Sequence, residues 1–159
     1  MKVILEPLSY QHTEDILAHS RGEVGAFWPY PNNLDEIDLE IWRAEKAARA
    51  GRAFNFAAYD ITSDIFVGGG QVVNCENYGE VGYEVVPSQR RKGYGKRVLR
   101  ALEIFASMKF SSEFERLEAH IDPDNIASRA LATNMGYQLT NRTENGRLVF
   151  EKITNTSIV

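Results

Sequence analysis

The feature that most narrows the folds open to this chain is the stretch Ser88 to Arg97, SQRRKGYGKR, because it joins an alternating apolar segment to an amphipathic one. Upstream, Glu80 to Val86 (EVGYEVV) alternates Val81, Tyr83 and Val85 against Glu80, Gly82 and Glu84, the pattern of a strand with one more polar face. Downstream, Val98, Ala101, Leu102, Phe105 and Met108 recur at the spacing of one helix face, which predicts a glycine-rich turn running into a helix over Gly93 to Lys109. A helix that starts this way leaves its first N–H groups without intrahelical partners at the positive end of its dipole, and glycines let an anion approach them. Arg90, Arg91, Lys92, Lys96 and Arg97 add cations around that turn. The spacing is that of neither a Walker A loop nor a dinucleotide fingerprint. Alone, it fits a phosphate cradle or a solvated helix start.

Charge sharpens the choice. The net charge is -4, which argues against a general nucleic-acid or anionic-membrane surface, so any anion is bound locally. At 159 residues with 43% apolar content, the chain is expected to form one domain over 1–159 with a continuous core. Its start, MKVILEPLSYQHTED, has too short an apolar run for a signal peptide or a membrane anchor, and points to a cytoplasmic protein. The single cysteine, Cys75, has no partner for a disulfide or a metal motif and reads as a small buried apolar residue. No metal-ligand spacing is present, and no metal is expected.

Strands and helices alternate along the rest of the chain. Lys2 to Pro7 reads as a strand, Tyr10 to Ser20 as a helix with Ile16 and Leu17 inward, and GEVGAFWPYPNN as a loop carrying Trp28 and Tyr30. Leu34 to Ala50 has helical periodicity with Gly51 past its end. Ala53 to Tyr59 and Ile65 to Asn74 form a predicted hairpin that Glu80 to Val86 extends into an antiparallel meander. Leu117, Ala119 and Ile121 alternate as another strand, followed by DPDNIASRALATNMGY, a helix with Asp124 or Asn125 as cap and Gly136 as stop. Tyr137 to Thr140 and Leu148 to Lys152 close the chain as strands around TENGR.

Two of these units together, VGYEVVPSQRRKGYG and EAHIDPDNIASRALATNMGY, resemble the acetyl-coenzyme A binding core of the GCN5-related N-acetyltransferases, the GNAT family, with closest likeness to the ribosomal-protein N-terminal acetyltransferase branch. The likeness runs from LEPLSYQHTEDI to the end. It implies an α/β (α+β) fold: a mostly antiparallel central sheet, splayed between two adjacent parallel strands, with helices on both faces. It also implies transfer of an acetyl group from acetyl-coenzyme A to a primary amine, by direct attack in a ternary complex. The amine belongs to a protein N-terminus or a small molecule, and a homodimer is compatible with the family.

By the same resemblance, the pyrophosphate lies on the loop Arg91, Lys92, Gly93, Tyr94, Gly95 and Lys96. Pantetheine pairs with the strand end at Val85 and Val86, and Asn125 approaches it from the second helix start. Ser128 sits where the branch has a residue close to the thioester sulfur. The chemistry needs a proton acceptor, because an amine attacks only when neutral, and it needs a donor to the oxyanion, here the Val85 or Val86 N–H. The leaving thiolate needs little acid, and the Ser128 hydroxyl suffices.

The chain departs from better-equipped relatives. Ala132 stands where many have a tyrosine general acid, and Gly79 and Val81 align with their strand carboxylate or histidine. Glu80 and Glu84 lie on that strand with the opposite parity and are expected to face away unless a bulge re-aims them, which leaves the base open between a side chain and a water relay. Asn125 fits a helix cap, a cofactor contact, or both. Trp28 and Tyr83 each fit either the core or an acceptor wall, His120 reads as structural, and Glu113, Glu115 and Glu118 read as a solvated charge run. Acidic neighbours such as Glu23, Glu76 and Glu80 suit a cationic acceptor, with GEVGAFWPYPNN and TNRTENGR setting specificity. A coenzyme A binder without catalysis and an anion or nucleic-acid module built on Arg90 to Arg97 are the alternatives. Ser128→Ala is expected to lower turnover by less than roughly 10³-fold with acetyl-coenzyme A affinity nearly unchanged, measured by steady-state kinetics beside calorimetric binding.

Overall fold

Seven strands build one mixed sheet in the order β1-β2-β3-β4-β5-β7-β6. The computed structural model describes residues 1–22, 30–111 and 113–154. Within them the strands are β1 (Val3–Pro7), β2 (Ala53–Asp60), β3 (Ile65–Asn74), β4 (Tyr78–Val85), β5 (Arg116–Ile121), β6 (Gln138–Glu144) and β7 (Arg147–Ile153). The helices are α1 (Thr13–Gly22), α2 (Leu34–Arg49), α3 (Tyr94–Phe110) and α4 (Ile126–Asn134). All neighbours pair antiparallel except β4 and β5, which run parallel. That exception follows from connectivity, because α3 carries the chain back to the starting edge between them.

Each face of the sheet has its own core. Val81, Leu117, Ala119 and Phe150 point to one side, where Val98, Leu99 and Leu102 of α3 and Ala132 of α4 cover them. Ala57 and Phe66 point to the other, under Ile16 and Leu17 of α1 and Ile37 and Ile41 of α2.

Three local expectations need correction. The first helix begins with a 3-10 turn at Tyr10–His12 and becomes α-helical at Thr13. In α3 the buried face is Val98, Leu99, Leu102, Ala106 and Phe110, whereas Met108 is 79% exposed. Apolar residues span more than one stripe of that helix, and packing on the sheet selects the stripe through Leu99 and Ala106 over the one ending at Met108. Cys75 is half-buried, with Sγ 3.8 Å from the Val73 carbonyl.

One polar bond system anchors the start of α3. Tyr94, its first residue, is buried, and its hydroxyl donates to Asp60 Oδ2 at 2.9 Å. Asp60 Oδ1 accepts from the Lys2 N–H at 2.9 Å and from the Thr62 N–H at 3.0 Å. The Lys2 bond, reinforced by Thr62 and Tyr94 against the effect of burial, holds the Asp60 carboxyl far below the ordinary carboxylate range. A lowered carboxyl stabilises the fold above its unfolded pKa, near 3.8, and that contribution disappears as pH falls further. Asp60→Asn is expected to lower the Tm at pH 7, with the gap to the parent protein narrowing as thermal unfolding is followed down to pH 3.

Candidate functional site

β4 and β5 share only three register pairs, Tyr78 with Arg116, Gly79 with Leu117 and Glu80 with Glu118. Both strands continue, to Val85 and Ile121, so a wedge opens beyond Glu80. Each remains paired on its far side, β4 with β3 and β5 with β7. The Val86 N–H donates to the Val67 carbonyl at 3.0 Å. Donors alternate sides along an antiparallel ladder, so this bond turns Glu84 toward β3 and leaves the main-chain groups of Tyr83 and Val85 facing the wedge. Arg90 Nε donates to that Val85 carbonyl at 2.9 Å. Exposed strand groups of this kind accept an extended ligand as if it were another strand.

The Val86 amide is already bonded to β3 and its side chain is fully buried in the core under α1 and α2, so its N–H is not free to serve as the expected oxyanion donor. Val85 keeps that role open.

At the mouth of the wedge stands the N-terminus of α3. Side chains cap α2 and α4, where Asn33 accepts from the Glu36 N–H and Asn125 from the Ser128 N–H. The N-cap of α3 is Gly93, at φ 87°, with no side-chain cap and no acidic residue in the first turn. Its first N–H groups are therefore available to an anion. Arg91, at φ 61°, takes the left-handed conformation that glycine favours, a strain that recurs at binding loops. A Cβ on Gly95 would lie 3.0 Å from Leu131 Cδ2, so glycine lets α3 and α4 flank one groove closely. The result is a cavity of about 580 Å³ whose walls include Tyr83, Val85, Arg91, Gly95, Asn125 and Ser128.

The two faces of β4 differ chemically. On the α4 side, the Tyr83 hydroxyl donates to the Ser128 carbonyl at 3.2 Å and shares a 2.7 Å bond with Ser128 Oγ. Burial raises the Tyr83 hydroxyl pKa, and the Ser128 bond works against that rise. On the other side Glu84 lies over Gly69, where an added Cβ would stand 3.2 Å from Glu84 Oε1. Its neighbour Gly68, at φ 141°, admits no side chain because a Cβ would overlap the Glu84 carbonyl, and a Cβ on Gly70 would press on Leu102 at 2.7 Å. No hydrogen bond or ion pair reaches the Glu84 carboxylate from the described residues. It keeps an opening to solvent, yet enough protein surrounds it for burial alone to push its carboxyl up to about 7.

Farther down the same face, where pairing stops, His120 Nδ1 lies 3.4 Å from Glu80 and His120 Nε2 is 2.9 Å from Glu118. Glu118 is not part of a solvated run: it is fully buried and also bonds Arg116 and Arg142. Burial disfavours its charge, but the bonds from His120, Arg142 and Arg116 outweigh that and lower its pKa. Sequence spacing shows none of this, because Arg142 arrives from β6. Glu113 and Glu115 are exposed as expected.

A model of the acetyltransferase (GNAT) domain matches residues 2–138. The chain belongs to the GNAT acetyltransferase family. No curated protein sequence matches it. Among solved structures, RimL, a ribosomal alpha-N-protein acetyltransferase in complex with coenzyme A, superposes with a TM-score of 0.79 at 15% identity, over 96% of this chain and 94% of that one. A Vibrio cholerae protein provisionally named as a ribosomal-protein-serine acetyltransferase gives a TM-score of 0.79 at 24% identity, over 96% and 94% of the two chains. RimJ of Mycobacterium smegmatis, in complex with a coenzyme A disulfide, gives 0.74 at 19% identity, over 96% and 82%.

This GNAT protein is thus an acetyl-coenzyme A dependent N-acetyltransferase, and the residues present fit the co-substrate, which supplies the activated acetyl group. The uncapped α3 turn suits its pyrophosphate, and the Tyr83 and Val85 main chain suits its amide-bearing arm. Arg91, Gly93, Tyr94, Gly95, Lys96, Asn125 and Ser128 all line the cavity. Tyr94 does so with its hydroxyl turned away to Asp60. Lys92 lines a neighbouring cavity instead. Asn125 is the cap of α4, and Ala132 is fully buried, so no tyrosine hydroxyl enters from that position. Trp28 and Glu23 lie outside the described residues. Among the described residues no group of His, Cys, Asp or Glu is placed to hold a metal ion, and no helix is long and apolar enough to cross a membrane.

Glu84 has the parity opposite to Tyr83 that the alternation predicts, and it still borders the cavity because at a wedge both faces of a strand meet the opening. Glu118→Gln is expected to cost about 3 kcal/mol in urea unfolding, since Arg116 and Arg142 would lose their buried counter-charge.

Proposed function

We propose that the acceptor of this acetyltransferase is the α-amine of a polypeptide N-terminus and that Glu84 takes its proton. The carrying observation is the Glu84 carboxyl, without a hydrogen-bond or ion-pair partner among the described residues and pushed up to about 7 at the rim of the cofactor cavity. A carboxylate of that basicity is nearly matched to an α-amine at ~8, so the transfer is uphill by only about 1.4 kcal/mol. A lysine or polyamine ammonium at ~10.4 lies more than three units away, roughly 4.6 kcal/mol uphill. The difference favours the terminal amine by on the order of 10²-fold. The ribosomal-protein acetyltransferases with the same fold support the reading.

In this scheme the amine reaches the wedge from the face covered by α1 and α2 and gives its proton to Glu84. The Val85 N–H donates to the carbonyl oxygen under attack. On the opposite face the Tyr83 O–H turns from the Ser128 carbonyl to Ser128 Oγ, which frees the Ser128 proton for the departing sulfur. All these groups come from one chain, so the site needs no second copy. The cytoplasm is the compartment we assign.

Coenzyme A release with peptides bearing free N-termini, N-blocked lysine peptides, polyamines, aminoglycosides and amino acids tests the acceptor, with products identified by mass. Acetylated peptide N-termini are expected; turnover confined to side-chain or polyamine nitrogens, or silence with intact coenzyme A binding, overturns the reading. For the base, kcat/KM is expected to rise through about pH 7 as Glu84 ionises. Glu84→Gln is expected to abolish that limb and lower kcat about 10²-fold, while acetyl-coenzyme A affinity holds. The same substitution removes a charge whose burial opposes folding above the unfolded pKa, so its Tm is expected to exceed the parent's at pH 8.

A further inference from the structure

α2 buries one stripe on the sheet and leaves the opposite one to solvent. Ile37 and Ile41 are fully buried in the core it covers. On the far side of the helix Asp35, Leu39, Trp42 and Lys46 follow one another at spacings of four, three and four residues, and all are exposed. That spacing is the seam of a paired helix, which presents one residue per turn to a neighbouring helix. The middle of the seam is apolar, with Leu39 44% and Trp42 46% exposed, while its ends carry a carboxylate and an ammonium. A single exposed leucine says little, but a tryptophan one turn away on the same stripe makes a continuous patch.

The patch is complementary to itself. Two α2 helices running antiparallel about a two-fold axis between Leu39 and Trp42 bring each Leu39 onto the second copy's Trp42, and each Asp35 beside the second copy's Lys46. A parallel pair would set Asp35 against Asp35 and Lys46 against Lys46, so the charges select the antiparallel arrangement. Neither Asp35 nor Lys46 has an ion pair among the described residues. Lys46 Nζ instead lies 5.0 Å from the centroid of the Trp42 ring, already over the apolar patch.

The flanks are compatible with the same pairing. On one, Glu36 of each copy faces Arg43 of the other, and within its own chain Arg43 is held only by Glu40 in an exposed contact. On the other, Asp38 is turned to α1 and accepts from the Thr13 hydroxyl at 3.0 Å. Glu45, on that flank and half-buried, is the one charge left without a complement. A stripe with an acidic end, an apolar middle and a basic end over about 16 Å suits neither a uniformly charged partner nor an anionic membrane.

We propose that this face of α2 is the interface of a homodimer in which two α2 helices pack antiparallel across a two-fold axis. The inference is independent of which amine the enzyme acetylates. A single helix pair buries less than the roughly 1,200 Å² at which standard interfaces begin, so the dissociation constant is expected on the order of 10⁻⁵ M.

Sedimentation equilibrium of the full chain across that concentration tests the proposal. The parent is expected to pass from monomer to dimer, and Trp42→Ala to stay monomeric. Asp35→Lys and Lys46→Asp each turn both end pairs repulsive, and each is expected to weaken the dimer about tenfold. An equimolar mixture of these two variants restores attraction at both ends and is expected to associate as tightly as the parent. That recovery also shows that each variant is folded. A parent that stays monomeric overturns the proposal and assigns the stripe to a different partner. A dimer that Trp42→Ala leaves intact overturns it by moving the contact to another surface, and a mixture no tighter than its components overturns the antiparallel pairing itself.

Discussion

The rest of the structure depends on how briefly β4 and β5 touch. Three register pairs hold two parallel strands that are otherwise fully engaged elsewhere, β4 on β3 and β5 on β7. What remains is a pair of strand edges facing each other across a gap, inside the sheet and not at its border. An unpaired main-chain group in a partly buried place costs about 1–3 kcal/mol, and the protein holds the gap open from both ends. Glu80, Glu118 and His120 close the apex, and Arg90 holds the Val85 carbonyl near the mouth. Edges of this kind accept a ligand with amide groups in place of the missing strand.

That gap gives a sheet two chemically different sides at one point. Tyr83 and Glu84 are adjacent in sequence, yet alternation sends one toward Ser128 and the other over Gly69. A one-residue slip of β4 against β3 would exchange them and put a carboxylate beside the sulfur. The pairing of Val86 with Val67 is therefore as much part of the site as any side chain.

Much of this was legible in the sequence because it rests on local rules. The Asn125 cap, the Gly93 start of α3, the Gly136 stop and the strand alternation all follow from neighbours a few residues apart, and the structure has each. Long-range pairing decided what could not be read. Glu118 looks solvated beside Glu113 and Glu115 until β6 delivers Arg142, and Met108 looks inward until α3 settles on its Leu99 and Ala106 stripe. Val86 shares the apolar character of Val85, and only its bond to Val67 takes its N–H out of the groove.

The run Gly68, Gly69 and Gly70 carries a consequence for how such a site diversifies. The floor behind Glu84 is as thin as a polypeptide permits, closed by a carbonyl of β4, a carbonyl of β2 and a side chain of α3. No side chain can be added there to reshape the acceptor chamber, so evolution or design has to act on its roof. The chamber is a fixed mould on the strand side, so under the proposed reading acceptor preference drifts on the other side while the Glu84 carboxylate stays where the strands put it.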